Sequence, residues 1–349
     1  MISLLLLLLA TEVSAPPDAD LPELVQLKQQ DKPRPHPKLK LPKDCAIGPI
    51  IPGLMQGAVP QGLAHWKAQN WLLISCYFHH EESQPAADRT PSVVVAIDAE
   101  TKKIVRCLTL VEVNGGAHTG HVGGLAVSDN YLWVASKQLY RAPLADVLAA
   151  PRNDHLRLQK MFHAECDASY VAYHDKQVWV GEFVATTDPQ YQGNSAHYLK
   201  DRNGTNKHAW IAGYALDAAD NPKGATGGKA PPPTAVLSVR EHVQGLAFLD
   251  DRIILSTSYG RTKDSLLAAY ANPLRRESKK PHVMVQAGGV KVPLWFLDGK
   301  NKIRETDFPP MSENITPYGK GLAVLCESGA AHYQKGGRSP LDSVVFFQP

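Results

Sequence analysis

The sequence predicts an all-β chain, a five-bladed β-propeller closed by pairing of its N- and C-terminal strands. Three observations carry this reading. The first is a recurring cassette in which an apolar strand, a tight polar turn and a second apolar strand follow one another, as in His242-Val243-Gln244-Gly245-Leu246-Ala247-Phe248 leading to Ile253-Ile254-Leu255-Ser256-Thr257. It recurs at Gln61-Gly62-Leu63-Ala64, at His121-Val122-Gly123-Gly124-Leu125-Ala126, and in weaker form from Asp167 and from Met311. The copies lie roughly 45 to 75 residues apart, a spacing that fits propeller blades with loop insertions. The second is the abundance of Gly and Pro at the joints between apolar runs, where turns need them. The third is an accounting of strands. The last cassette stops one strand short, and an orphan strand near Cys45-Ile50 can supply it, which removes an exposed sheet edge.

Taken in order, Ile2 to Ala10 is a short Leu-rich run followed by Val13-Ser14-Ala15, so residues 1–15 read as a signal peptide too short to span a bilayer. Residues 16–43 are rich in Pro, Lys and Asp without apolar periodicity and read as a linker. Residues 44–349 form a single propeller domain. The first blade is expected at Gln61–His65, Trp71–Tyr77, Ser92–Ile97 and Lys103–Leu110, with Asp98-Ala99-Glu100-Thr101 as a polar turn. The second begins near Val122 and ends with Gln138–Ala142 and Leu156–Phe162. The third takes Ser169–Tyr173, Gln177–Phe183, Trp210–Leu216 and Thr234–Val239, with a long insertion in the middle. The fourth takes Gln244–Leu249, Arg252–Tyr259, Ser265–Tyr270 and Lys302–Asp307, the last following a hairpin around Asp298-Gly299. The fifth takes Glu313–Thr316, Gly321–Glu327 and Ser343–Phe347, completed by the strand near Cys45.

Bulk properties narrow the function classes. A net charge of +3 with interspersed signs gives no basic stripe for nucleic acid. No second apolar run suggests a membrane span, and nothing indicates an oligomer, so a monomer is expected. The nucleotide-binding glycine motifs and the G-x-S-x-G elbow are absent, and no nucleotide or organic cofactor is indicated. Five cysteines without metal or redox spacing read as buried thiols, with room for one disulfide of open connectivity.

In a propeller the starts of the inner strands and the ends of the second strands share one face around the channel. Aligned, the cassettes place Gln61, Gly123, Ser169, Gln244 and Glu313 at strand starts, with His121, Asp167 and His242 two residues upstream. Strand ends align as Cys76, Ser136, Glu182, Ser258 and Glu327. Nine of the 14 histidines fall near this face, as do the insertions at 78–91, 184–208 and 330–342, so this is the expected binding face. Converging Glu182, Glu313 and Glu327 would repel one another unless a protonated carboxyl, an Arg such as Arg141 or Arg261, or a bound cation compensates. A divalent cation, Ca2+ in the simplest case, is the expectation for Glu182, Glu313, Glu327 and Asp167; zinc or manganese enters if a histidine joins them. His121 or His242 would act as general base, and Gln61, Gln244, Ser258 and His197 would bind substrate. Ordinary hydrogen-bonded strand caps are the competing reading. The pair His118-Thr119-Gly120-His121 reads first as a polar loop.

The motifs Gln61-Gly62-Leu63-Ala64, His121-Val122-Gly123-Gly124-Leu125-Ala126, Pro309-Pro310-Met311-Ser312-Glu313 and Glu327-Ser328-Gly329-Ala330 resemble a group of exported bacterial β-propeller proteins, mostly of unassigned activity. More distantly the chain is similar to the gluconolactonase and regucalcin-like propellers. Those have six blades and hold a divalent cation at the channel top through Glu, Asn and Asp, for which Glu313 and Asp167 would be the counterparts. Motif and resemblance together imply a secreted or periplasmic propeller that hydrolyses a small polar substrate of lactone or ester type. The alternative is a non-catalytic propeller binding a ligand or protein by the same face.

Overall fold

A computed structural model describes residues 21–349 apart from 35, 37, 38, 82, 86, 87, 226–229 and 276–279. The signal-peptide reading of residues 1–15 lies outside the described residues. The chain is an all-β propeller. Strand β1 (Cys45–Ile50) is followed by β2 (Ala58–Trp66), β3 (Trp71–Phe78), β4 (Val93–Asp98) and β5 (Ile104–Glu112), which form an antiparallel run. Next come β6 (Gly124–Val127), β7 (Tyr131–Ser136), β8 (Gln138–Pro143) and β9 (Asn153–Phe162). The outer strands β5 and β9 pair in parallel, joining both runs into one eight-stranded sheet.

Strands β10 (Tyr170–His174) and β11 (Gln177–Gly181) precede a small hairpin of β12 (Leu199–Lys200) and β13 (Asn206–Lys207) in the long insertion. The sheet resumes with β14 (Ala209–Ala215) and β15 (Ala235–Val239). Strands β16 (Val243–Leu249), β17 (Arg252–Thr257) and β18 (Ser265–Ala271) belong to the next sheet. Between them and that sheet's outer strand lies a hairpin that the sequence reading did not contain, β19 (Val283–Ala287) and β20 (Val290–Phe296). Its β20 pairs in parallel with β15 and widens that sheet to six strands. The expected hairpin around Asp298-Gly299 is instead the connection to β21 (Lys302–Phe308), whose partner is β18. The last sheet is β22 (Ser312–Tyr318), β23 (Gly321–Cys326) and β24 (Ser343–Phe347), and β1 completes it, with Cys45 opposite Phe347.

Local chemistry explains these elements. Every residue of β3 is buried, because the sheet is packed on both faces and a continuous apolar run is what such a strand needs. Strand β21, at an outer edge, exposes Lys302, Ile303, Arg304, Glu305 and Asp307 to varying degrees. Asp98 accepts from the Glu100 and Thr101 amides at 3.1 and 2.7 Å and shapes the polar turn between β4 and β5.

The inner strands β2, β6, β10, β16 and β22 pack side by side in a closed ring. They approach backbone to backbone, and glycine makes this possible. A Cβ on Gly62 would lie 2.8 Å from the Leu125 amide nitrogen, one on Gly124 2.6 Å from the Tyr170 Cα, and one on Gly245 2.9 Å from the Asn314 Cα. Three of these strands carry a β-bulge at the same place, between Pro60 and Leu63, Val243 and Gly245, and Ser312 and Ile315. Bulges re-aim side chains. Gln61, Gln244 and Glu313 are the residues re-aimed.

Residues 21–34, in the stretch read as a linker, have no strand or helix but lie on the propeller. The Val25 amide donates to Thr109 Oγ1 at 2.9 Å, Leu27 is buried, and Gln29 Nε2 donates to the Ile50 and Lys102 carbonyls at 2.7 and 2.8 Å. Arg34 forms an ion pair with Asp342 and donates to the Gly329 carbonyl at 2.5 Å.

Candidate active site at the channel mouth

The bulged starts of the inner strands and the ends of the second strands do meet at one mouth, but the register differs from the sequence alignment. Cα partners are Pro60 with Cys76, Val243 with Thr257, and Ser312 with Cys326. In β10–β11 the partner of Tyr170 is Gly181, and Tyr170 stands level with Gly124 and Gly62. Glu182 is therefore level with Cys76, Thr257 and Cys326, while Glu327 is one residue further on, level with Tyr77 and Ser258. Successive side chains of a strand point to opposite faces, so a slip of one residue separates the two carboxylates. Glu182 turns inward, 3% exposed, where its Oε1 accepts from His197 Nδ1 at 2.6 Å and the Trp210 amide at 2.8 Å. His197, stacked on Trp210 with centroids 4.0 Å apart, is buried with it.

Glu313 and Glu327 do come together. Glu313 is fully buried, its Oε1 without a hydrogen-bond partner, and it bonds to Glu327 through its side chain. Desolvation, followed by the neighbouring Glu327 charge, holds the Glu313 carboxyl well above the usual range. Desolvation also pushes Glu327 up to about 8, against hydrogen bonds from Gln61, Glu313 and Tyr333 and the charge of Arg261. Gln61, in the bulge of β2, donates Nε2 to Glu327 Oε2 at 2.7 Å. The hydroxyls of Tyr77 and Tyr333 are 3.0 Å apart, and the Arg261 guanidinium lies 4.9 Å over the Tyr333 ring. The two carboxyls, both held toward their protonated forms, lie under a roof of phenols and an amide.

His121 stacks against Tyr77, centroids 4.0 Å apart, at the edge of this group. It is open to solvent yet crowded by protein on several sides; desolvation and the Lys137 charge lower its pKa, so the ring is a neutral hydrogen-bonding group at neutral pH. His242 belongs to a different part of the mouth. It has φ of +64°, lies parallel to Tyr259 at 4.5 Å, and is lowered by desolvation. Its carbonyl accepts from the Ser258 amide at 2.9 Å, and both residues line a cavity of about 170 Å3 with Arg240, Glu241 and Tyr259. Gln244 is half-buried in its bulge, the counterpart of Gln61. Asp167 is exposed and joins neither carboxyl. Of the insertion expected to form a lid, Tyr191 packs edge-on against Phe183 at 5.2 Å and Asp188 accepts from the Tyr259 hydroxyl at 3.2 Å. A larger cavity of about 480 Å3 lies beside Asp201, Lys207 and Glu305, where charges are already paired, Arg240 with Glu305 at 2.7 Å and Lys207 with Asp201 at 3.4 Å.

The expected cation set of Glu182, Glu313, Glu327 and Asp167 is not assembled. Among the described residues no group of three or more His, Cys, Asp or Glu is placed to hold a metal ion. Two carboxyls both held toward their protonated forms, beside an amide and phenols, are a poor match for a hard cation that takes about six to eight oxygen ligands. The five cysteines are free. Sequence reasoning missed Tyr77 and Tyr333. Tyr77 was visible as the residue after Cys76, had the alignment carried the bulge.

No protein-family model matches the chain, and no curated protein matches it in sequence. Among solved structures it is similar to a GH43 β-xylosidase/α-arabinofuranosidase from a compost microbial metagenome, at 11% identity and a TM-score of 0.43 over 86% of this chain and 94% of that one. It is similar to a GH43_1 enzyme from Xanthomonas citri at 12% identity and a TM-score of 0.40, over 86% and 89% of the two chains. The distant similarity to gluconolactonase-like propellers holds, with a putative gluconolactonase at 11% identity and a TM-score of 0.36 over 88% and 92%. None of these likenesses assigns an activity. Among the described residues no helix is long and apolar enough to cross a membrane.

Proposed function

We propose that the protein is an exported five-bladed propeller that hydrolyses a small polar substrate of lactone or ester type at the channel mouth, using the Glu313–Glu327 pair for proton transfer. The blade count is supported by the closed ring of β2, β6, β10, β16 and β22 and by the parallel β5–β9 seam, at which the eight-stranded sheet divides. The observation that carries the activity is Glu327, pushed up to about 8 and partly exposed above the buried Glu313. Titratable groups whose environment holds them near working pH are suited to acid–base work. In the reaction the ionised member of the pair takes a proton from the attacking water. The protonated member gives one to the leaving oxygen as the carbon–oxygen bond breaks. Gln61 and Tyr333 hold Glu327 in place, and neutral His121 offers a hydrogen bond to the substrate. No cation takes part in this scheme.

The test is turnover of a panel of lactones and carboxylic esters by wild-type protein and by Glu327→Gln, with and without chelator. The expected result is hydrolysis that chelator leaves intact and that the substitution lowers about 100-fold or more in kcat. Binding of a panel compound without turnover would favour the non-catalytic reading, and full kcat in Glu327→Gln would remove the carboxyl pair from the mechanism.

A further inference from the structure

A second constellation stands behind the mouth, on the loop that joins β5 to β6. Strand β5 continues past Glu112 into a tight hairpin through Gly115, at φ +91°, and returns with Ala117 opposite Val111. The return sets His118 against Glu112, and His118 Nδ1–H donates to Glu112 Oε1 at 2.6 Å. That bond fixes the tautomer and leaves the Nε2 lone pair for Ser136, whose hydroxyl donates to it at 3.1 Å. Tyr140 packs edge-on against the imidazole at 5.0 Å and holds its plane. Ser136 ends β7, and Lys137 immediately after it is left-handed at φ +56°, so the hydroxyl sits at a sharp strand-end turn. Hydroxyl, imidazole and carboxylate thus stand in line with the spacing of an activated nucleophile.

Gly120 covers this row. A Cβ there would fall 2.4 Å from Ser136 Oγ and 2.9 Å from His118 Nε2, so a side chain is excluded from the space above the hydroxyl. The Ser92 hydroxyl donates to the Gly120 carbonyl at 2.8 Å and holds the loop in that position. Ser136 is 6% exposed and His118 5%, which limits the acyl group to a small one.

We propose that Ser136, His118 and Glu112 form a nucleophilic site for small carboxylic esters, separate from the carboxyl pair. Ser136 Oγ attacks the carbonyl carbon while its proton passes to His118 Nε2. Collapse of the tetrahedral intermediate breaks the carbon–oxygen bond, and His118 returns the proton to the leaving alkoxide. Water then attacks the acyl-serine, giving its proton to His118; the acid departs and Ser136 regains its hydrogen. Glu112 stabilises the imidazolium between these steps.

The full chain treated with a small fluorophosphonate tests the site, read by peptide mass. The expected result is one adduct per chain on Ser136, unchanged in Ser195→Ala, which removes an exposed serine elsewhere. Labelling is lost in Ser136→Ala and in Gly120→Ala, and slowed about 100-fold or more in His118→Ala. Ser136→Cys loses fluorophosphonate labelling but gains rapid alkylation by a small thiol reagent, which shows that the row persists in a folded variant. Wild-type protein that takes up no label, an adduct on another residue, or a Ser136→Cys thiol no faster than free cysteine overturns the proposal. Because adduct formation is read directly, the outcome is independent of whether the carboxyl pair turns over any substrate.

Discussion

Gln61, from the bulge of the first inner strand, donates its amide to Glu327 at the end of the last sheet, 2.7 Å away. The bond crosses the seam at which the propeller closes. It places one end of the carboxyl pair under the control of a residue 266 positions away in sequence.

The pair makes stability pH-dependent with a definite sign. Glu327 is raised to about 8, above the roughly 4.3 of an unfolded glutamate. A raised carboxyl contributes stability that is fully present below the unfolded value and is lost as pH rises through about 8. Glu327→Gln keeps a carbonyl oxygen to accept from Gln61 and removes the titration. We expect the substitution to flatten the decline in Tm across that window, with a gain of about 1–2 kcal/mol at its alkaline end after discounting for the partial exposure of Glu327. Parallel Tm curves for the two proteins between the acid and alkaline limits would show that Glu327 is not raised.

Glu182 is a buried acceptor, in contrast to Glu327, the proposed acid–base group. Glu182→Ala leaves the His197 ring and the Trp210 amide without their acceptor in a buried site, a loss of about 2–4 kcal/mol. Denaturant unfolding checks this. Full stability in Glu182→Ala would return Glu182 to the mouth and restore the simpler alignment.

The glycines of the ring are steric requirements. Gly124→Ala drives a methyl to 2.6 Å from the Tyr170 backbone, and is expected to cost about 3 kcal/mol or more. Gly116→Ala meets only Asn114 Oδ1 at 3.4 Å and is expected to cost under about 1 kcal/mol. Chemical denaturation of the two variants side by side decides the matter; equal costs would mean that the inner strands are less tightly packed.

The N-terminal strap is held by Arg34. Its guanidinium pairs with Asp342, whose side chain is 2% exposed, so Arg34→Ala strands a buried carboxylate and is expected to cost about 2 kcal/mol. The double variant Arg34→Ala/Asp342→Ala should lose less than the sum of the single changes. Strict additivity would mean that the two side chains do not interact.

The fold was largely legible because the cassettes are periodic and the inner strands are apolar over several residues. The contribution of β1 to the last sheet followed from counting strands. The hairpin Val283–Phe296 went unread, although Gly288-Gly289 between two runs of valine is a turn signal; both glycines have positive φ, +58° and +78°. Its strands lie outside the repeated cassette, half exposed, and alternation there is weak. The site was half legible. Gln61, Glu313 and Glu327 were placed at one mouth, and a protonated carboxyl was among the expected ways to relieve their repulsion. Glu182 was assigned with them because an ungapped alignment does not show that the bulge adds a residue to β2, β16 and β22 but not to β10. Ser136 and His118 were both noticed, but only the hairpin through Gly115 brings Glu112 into line with them.

The pairing of β1 with β24 has a consequence for how the molecule comes into being. A ribosome delivers Cys45 long before Phe347, yet the two face each other in one sheet. Until β24 emerges, β1 has no partner there and the ring cannot shut. Contacts between such distant parts of a chain carry the largest loop-closure cost and form slowly. The bond from Gln61 to Glu327, made across that seam, therefore forms late, after the carboxyl pair has come together within its own sheet.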